Sequence, residues 1–158
     1  MIILGIDPGI ERVGYAILKL EKGQTSLIEC GCITTSKHLP DPARLSEIKS
    51  DLDKLIKAYK PQVMGVESLF FASNAKTAMK VGQARGVIML AGQEAKLKII
   101  DITPLQVKIS ATGYGRAEKK QVQDMIMKIF KLKKIPKPDD AADAVAIAWA
   151  ASSRLAQI

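Results

Sequence analysis

The sequence contains few residues that bind zinc or form disulfides, with two cysteines and one histidine among 158 residues. Cys30 and Cys32 are two positions apart in a predicted strand, and no second group of cysteine or histidine is present to complete a zinc site. We therefore predict a pair of buried strand thiols in a reducing compartment. The histidine, His38, lies in a polar stretch, and we predict no catalytic role for it.

Long apolar runs are also missing from the sequence. No stretch approaches the roughly 18 uninterrupted apolar residues that a membrane span requires, and no basic region leads into an apolar segment at the N-terminus. With only 7 prolines and 47% hydrophobic residues, the composition is that of a folded globular protein. We expect a single domain over residues 1–158, located in the cytoplasm and without a membrane segment.

Acidic residues are in deficit, with 16 Asp and Glu against 24 Lys and Arg, and the formal net charge is +8. A positive balance of this size suggests an anionic partner such as nucleic acid. Charge alone does not decide the matter, because most surface lysines are simply solvated. The lysines near the C-terminus that we interpret as such a solvated face are Lys128, Lys131, Lys133, Lys134 and Lys137.

The hydrophobic patterns predict an α/β fold with a five-stranded mixed sheet flanked by helices. Apolar runs at 1–6, 13–20 and 26–35, separated by short turn signals, indicate three antiparallel strands. Helical spacing at 44–59 then precedes a strand at 62–67. The remaining predicted elements are a helix over 74–96, a strand over 97–103, a short helix from Pro104, a helix near 118–131 and a last helix from about 139.

Two of the predicted strands end in a lone carboxylate. Asp7 ends the first strand before a Pro-Gly turn, and Glu67 ends the fourth. A helix between strands three and four is the crossover that allows strand four to lie parallel to strand one. The two carboxylates would then lie ~5 Å apart at the carboxyl edge of the sheet, where open α/β sheets bind their ligands. An Asp-Pro-Gly sequence is also an ordinary turn.

Further acids open the last helix. Asp140 and Asp143 are three residues apart, hence on one helical face, and that face continues toward the core through Ala144 and Ile147. The same two residues also fit a variant capping box, which taken alone is the simpler explanation. Asp139 has no better explanation than capping, and we leave it out of the site.

Together these positions supply four carboxylates, and we expect no histidine, cysteine or lysine to be placed to neutralise them. Oxygen-only clusters suit Mg²⁺ or Mn²⁺. Two such ions ~3.5 to 4 Å apart activate a water and stabilise the leaving oxygen in phosphodiester hydrolysis. The residues therefore predict a metal-dependent nuclease.

Five motifs carry a family resemblance. They are "GIDPG", "GVESLFF", "KVGQARGVIMLA", "YGRAEKKQVQ" and "DDAADAVAIA", in this order along nearly the whole chain. Together they resemble the RuvC family of bacterial Holliday junction resolvases, in the RNase H-like superfamily. The doubled acid at the start of the last motif departs from the family pattern.

The resemblance implies the catalytic and metal-binding residues Asp7, Glu67, Asp140 and Asp143, with two Mg²⁺ ions in each subunit. It also implies a homodimer that makes paired symmetrical nicks in a four-way DNA junction and leaves 5′-phosphate and 3′-hydroxyl ends. Members of the family work with the RuvA and RuvB branch-migration proteins in recombination and DNA repair.

DNA-contacting residues are carried over from the same family. Phe70 matches an aromatic residue that stacks on junction bases, with Phe71 as a helper or a core residue. Lys108 and Lys119 match basic residues that face the DNA backbone, although each is also explained as a solvated lysine. Other predicted contacts lie in the glycine-rich loop, at Arg116 and Lys120, while Arg85 lies on the helix that the family uses near its dimer interface.

Two other classes remain open at the level of sequence. The ATPases of the actin, Hsp70 and sugar-kinase group share this fold and begin with a comparable acidic hairpin, but they enclose a nucleotide between two such domains. A non-catalytic binder of branched DNA would account for the charge and the aromatics. It would not account for four converging carboxylates.

Overall fold

The computed structural model describes residues 1–68 and 75–155, which form five strands and five helices. The strands are β1 (Ile2–Asp7), β2 (Arg12–Glu21), β3 (Gln24–Thr34), β4 (Val63–Glu67) and β5 (Lys98–Ile102). The helices are α1 (Asp41–Tyr59), α2 (Ala75–Glu94), α3 (Pro104–Thr112), α4 (Lys119–Ile129) and α5 (Asp139–Leu155). No helix in the described ranges has both the length and the apolar character of a membrane span.

The five strands form one mixed sheet in the order β3-β2-β1-β4-β5. β1 pairs antiparallel with β2, and β2 with β3, whereas β4 lies parallel to both β1 and β5. The predicted crossover through α1 is therefore confirmed, as is the five-stranded mixed sheet. β4 occupies the position that places its carboxyl end beside that of β1.

Each face of the sheet is covered by helices because the inner strands are almost continuously apolar, and successive side chains of a strand point to opposite faces. Leu4 and Ile6 of β1 pack on one face with residues of α1 and α2, such as Ile48 and Ile88. Ile3 packs on the opposite face, together with apolar residues of α3, α4 and α5. Both faces are buried, as expected for a sheet that contains parallel strands.

α5 lies unusually close to the sheet because glycines of the strands face its alanines. A Cβ atom on Gly5 would come within 2.5 Å of the Ala144 carbonyl oxygen, and one on Gly65 would lie 2.7 Å from the Ala151 Cβ. A Cβ atom on Gly14 would overlap the backbone of Asp140. These contacts fix both the height and the rotation of α5 above β1, β2 and β4.

The structure differs from the sequence prediction mainly at element ends. α1 begins at Asp41 rather than at 44. Pro40 is its N-cap residue, and Pro42 lies in the first helical turn, where proline fits because its missing N–H would have no partner within the helix. Cys30 and Cys32 are free thiols in β3, as predicted, but they are half-buried rather than fully buried. His38 lies in an exposed turn.

Candidate active site

Asp7 and Glu67 lie side by side at the carboxyl edge of the sheet. The parallel register aligns Ile6 of β1 with Val66 of β4, so the next residue on each strand is an acid. Both carboxylates are partly exposed at the ends of otherwise buried strands. The neighbouring placement predicted from the sequence is confirmed.

α5 brings two more acids to this edge. Its first turn crosses β2 at Gly14, which pairs with Asp7 in the sheet, and the absence of a Gly14 side chain lets the Asp140 backbone approach. Asp143 lies one turn further along, before the fully buried Ala144 and Ile147. The helix therefore directs Asp140 and Asp143 toward the ends of β1 and β4, as the inward-facing pattern predicts.

The pKa values record how strongly these carboxylates act on one another. Burial, followed by the charges of Glu67, Asp143 and Asp140, raises the pKa of Asp7 to about 8. Burial, and then the charge of Asp143, also raises the pKa of Glu67. For Asp143, burial raises the pKa while a hydrogen bond from Lys119 opposes that increase. The four acids therefore form one electrostatic cluster, in which the pKa of Asp7 is raised furthest.

Two cations lie within this cluster, so the expectation that no lysine would neutralise it is wrong. The Lys119 ammonium donates to Asp143 Oδ2 at 2.7 Å, and its charge also acts on Asp7 and Glu67. On the other side, Arg12 Nε lies 3.3 Å from Asp140 Oδ2. Lys119 reaches the site because α4 begins there, which sequence spacing alone does not reveal.

Arg12 is a residue that sequence reasoning missed. It begins β2, two residues before the Gly14 that pairs with Asp7, so the hairpin places it at the same edge of the sheet. This position is a usable signal: a cation at the start of the second strand lies near an acid at the end of the first. Its side chain is about half exposed, at 53%.

The sequence reasoning named Arg85 but missed its contact with the site, which is a hydrogen bond to the backbone of Glu67. Its Nε donates to the Glu67 carbonyl oxygen at 3.1 Å, and its Nη2 pairs with the Asp101 carboxylate on β5. Only 18% of the Arg85 side chain is exposed. The guanidinium therefore ties the end of β4 to β5. The sequence indicated only that Arg85 lies on a helix near the family's dimer interface.

The donor set of the cluster fits a hard divalent cation. All four side chains offer carboxylate oxygen, which is the ligand type that Mg²⁺ and Mn²⁺ prefer. Within residues 1–68 and 75–155, no three acidic, histidine or cysteine side chains form a closed ligand set. The carboxylates are thus neighbours with coupled charges rather than a finished cage. Asp139 lies at the edge of the cluster, where it accepts a hydrogen bond from Lys137 at 2.8 Å and lies 4.0 Å from Lys119 Nζ.

The predicted DNA contacts are placed only in part. Phe70 and Phe71 lie outside the described residues. Lys108 is half-buried on α3, while Arg116 and Lys120 are exposed around the start of α4. Of the predicted basic contacts in the described ranges, only Lys119 is paired with an acid of the cluster.

The sheet order and the acids at the ends of β1 and β4 and at the start of α5 define a class: an RNase H-like fold with a carboxylate cluster at the carboxyl edge of its sheet. The family model for crossover junction endodeoxyribonuclease RuvC matches residues 3–151. The chain belongs to the RuvC family.

Individual relatives agree with this assignment. RuvC of Halothermothrix orenii is 52% identical over 93% of this chain and 89% of its own length. RuvC of Fusobacterium nucleatum is 50% identical over 93% of this chain and 77% of its own. Among solved structures, Thermus thermophilus RuvC superposes with a TM-score of 0.90 at 33% identity, covering 99% of this chain and 97% of the other. The same protein in complex with a Holliday junction substrate gives a TM-score of 0.92 at 31% identity, covering 99% and 96%.

Proposed function

We propose that this chain is an endonuclease that resolves four-way DNA junctions by paired symmetrical nicks, using divalent metal ions. The observation that carries the proposal is the meeting of four carboxylates at one edge of the sheet, where burial and the three neighbouring acids raise the pKa of Asp7 to about 8. Such a cluster is unfavourable in isolation and favourable around a multivalent cation. Membership of the RuvC family supplies the class of substrate.

Asp7, Glu67, Asp140 and Asp143 would hold two Mg²⁺ ions, with Mn²⁺ as a substitute. Bound there, the ions would activate a water for attack on the scissile phosphate and stabilise the departing oxygen, giving 5′-phosphate and 3′-hydroxyl ends. The chain's own contribution is to hold the four carboxylates at one edge through β1, β4 and α5.

The remaining residues have roles in binding DNA. Lys119 would contact a phosphate beside the acids, a role supported by its hydrogen bond to Asp143. Phe70, with Phe71, is proposed to stack on opened bases. The basic residues proposed to contact the DNA backbone around Lys119 are Lys108, Arg116 and Lys120.

A homodimer would make the paired nicks. Met79, Gly86 and Leu90 lie on one side of α2 and are exposed, with 68% of Met79 and 53% of Leu90 accessible. A Cβ atom on Gly86 would meet no other atom, so a second helix has room to approach. Cooperation with RuvA and RuvB in recombination and repair, a cytoplasmic location, and a single domain over residues 1–158 complete the proposal.

The proposal is tested with synthetic four-way junctions carrying a label on one strand at a time. Wild-type protein with Mg²⁺ is expected to nick two opposing strands at symmetry-related positions, and DNA ligase is expected to seal the products. Asp143→Asn should bind the junction and fail to cut it. The wild type should leave a linear duplex of the same sequence intact. Junctions left uncut by the wild type in both Mg²⁺ and Mn²⁺ would exclude the proposed activity.

A further inference from the structure

Four lysines lie between the end of α4 and the start of α5, where they form what we call the basic strip: Lys131, Lys133, Lys134 and Lys137. All four are exposed. From residue 119 to residue 137 the chain has seven lysines and one aspartate. This is the most one-sided concentration of charge in the sequence, and the catalytic role of the acids does not require it.

The strip is held against the protein rather than free in solvent. The Leu132 N–H donates to the Met127 carbonyl oxygen at 2.9 Å, which closes the end of α4. Leu132 and Ile135 are partly buried, and Pro136 and Pro138 limit the backbone. Anchoring apolar residues thus alternate with outward-facing lysines. The lysine positions are fixed on the surface, so an anion that binds them pays little entropy for ordering the backbone.

Little in the described part of the chain neutralises this charge. Lys137 pairs with Asp139 at 2.8 Å. Within residues 1–68 and 75–155, Lys131, Lys133 and Lys134 have no acidic partner within salt-bridge distance and donate no side-chain hydrogen bond. Like charges this close repel one another, and an anionic partner would relieve that repulsion.

The strip also leads to the active site. Asp139 accepts from Lys137 on one side and lies 4.0 Å from Lys119 Nζ on the other, and Lys119 pairs with Asp143. The first residue of α4 therefore lies beside the first turn of α5. The segment between the two helices must run back along α4, a distance of about 16 Å for 11 residues.

We propose that the basic strip binds the phosphate backbone of the duplex arm that leaves the active site past Lys119. The inference rests on the proposed function and adds a second contact surface to it. A length of about 16 Å corresponds to roughly five base pairs at 3.4 Å each, so several phosphates of one strand come within reach. Lysine is suited to this role, because it contacts phosphate as a point charge without reading sequence.

The test compares junction binding by two double variants in EDTA, where no cutting takes place. K133Q/K134Q removes two charges from the strip. K57Q/K60Q removes two exposed lysines at the end of α1, which covers the opposite face of the sheet. Affinity is measured from 50 to 200 mM salt by fluorescence anisotropy, and K133R/K134R serves as the charge-preserving variant.

Loss of two phosphate contacts should reduce the slope of log affinity against log salt by about 2, and weaken binding at 100 mM salt roughly tenfold or more. The control K57Q/K60Q and the arginine variant should behave as the wild type. A slope and affinity of K133Q/K134Q equal to the wild type would overturn the inference and leave the four lysines as a solvated face. If the wild type neither binds nor cuts the junction, the proposed function fails instead, and the inference fails with it.

Discussion

At the scale of single residues, Asp7 is the acid whose ionisation is most disfavoured by its surroundings. Its carboxylate is partly buried at the end of β1 and faces three other acids, so its pKa rises to about 8. Lys119 pairs with Asp143 and also acts to lower the pKa of Asp7, and Arg12 pairs with Asp140, yet burial and the neighbouring acids outweigh these cations at Asp7. The proposed metal ions would supply the positive charge that this cluster still lacks.

The raised pKa of Asp7 predicts a pH dependence of stability in the absence of metal. An unfolded aspartate has a pKa near 3.9, below the folded value of Asp7 of about 8. The folded state therefore holds the proton more tightly, and its advantage is complete below about pH 4 and lost as the pH rises through 8. In EDTA, Asp7→Asn should be more stable than the wild type at pH 8.5, by roughly 1 to 3 kcal/mol, and this gap should shrink toward pH 4.

Urea denaturation at a series of pH values measures that gap. Asp124→Asn, a change at an exposed acid on α4, is the matched control and should follow the wild-type profile. Mg²⁺ should stabilise the wild type more than Asp7→Asn, because binding to the folded state adds to its stability. A gap that is constant from pH 4 to 8.5 would show that the substitution acts through packing and not through the ionisation of Asp7.

The sequence predicted the acids of this site better than its cations. Asp7 and Glu67 follow from two strand ends and a parallel pairing, which are local patterns joined by one topological rule. Arg12 and Lys119 reach the same place only because a hairpin and the start of α4 come together in three dimensions. The hairpin position of Arg12 is a signal that the sequence does contain, whereas the contact of Lys119 with Asp143 depends on a tertiary approach that no spacing rule encodes.

At the scale of secondary-structure elements, the packing of α5 on the sheet determines where two of the four acids lie. Gly5 and Gly65 lie against alanines of the helix, and Gly14 lies against the backbone of Asp140. The sequence predicted the inward face of α5 from its spacing, but it gave no indication that three glycines on separate strands set its height. Close packing of this kind transmits any change in the sheet directly to Asp140 and Asp143.

The end of β4 is held in place by Arg85 of α2, which contacts both β4 and β5. Arg85→Met should retain the apolar stem of the side chain but lose the hydrogen bond to the Glu67 carbonyl and the pair with Asp101. We expect cleavage to fall tenfold or more, together with a higher Mg²⁺ requirement, because Glu67 is then less firmly placed. The free energy of unfolding should decrease by about 1 to 2 kcal/mol.

Arg154 provides the control for this prediction, because its Nη1 donates to the Asp101 carbonyl oxygen at 3.0 Å, and within residues 1–68 and 75–155 it makes no hydrogen bond to Glu67. Arg154→Met should cost comparable stability and leave the Mg²⁺ requirement unchanged. Cleavage rates over a Mg²⁺ titration distinguish the two variants. Identical titrations for both would mean that Arg85 contributes only to general stability.

At the scale of the whole molecule, the helices on the two faces of the sheet have different surface chemistry. α3, α4 and α5 cover one face and carry most of the basic residues around the acids, including Lys119 and the proposed basic strip. α1 and α2 cover the other face, and α2 leaves an exposed apolar row that includes Met79 and Leu90. This division would allow the proposed homodimer to form through α2 while the other face of each sheet binds DNA.

The apolar row on α2 gives the prediction for assembly. Leu90 is 53% exposed, and Leu105 on α3 is 55% exposed, so the two leucines are matched in chemistry and accessibility. Leu90→Glu would place a charge in the proposed dimer interface and should convert the protein to a monomer, whereas Leu105→Glu should leave the dimer intact. Light scattering coupled to size exclusion reads the mass directly. The monomeric variant should also make single nicks rather than paired ones, since each described chain contributes one carboxylate cluster. A Leu90→Glu protein that keeps its dimeric mass would place the interface away from α2.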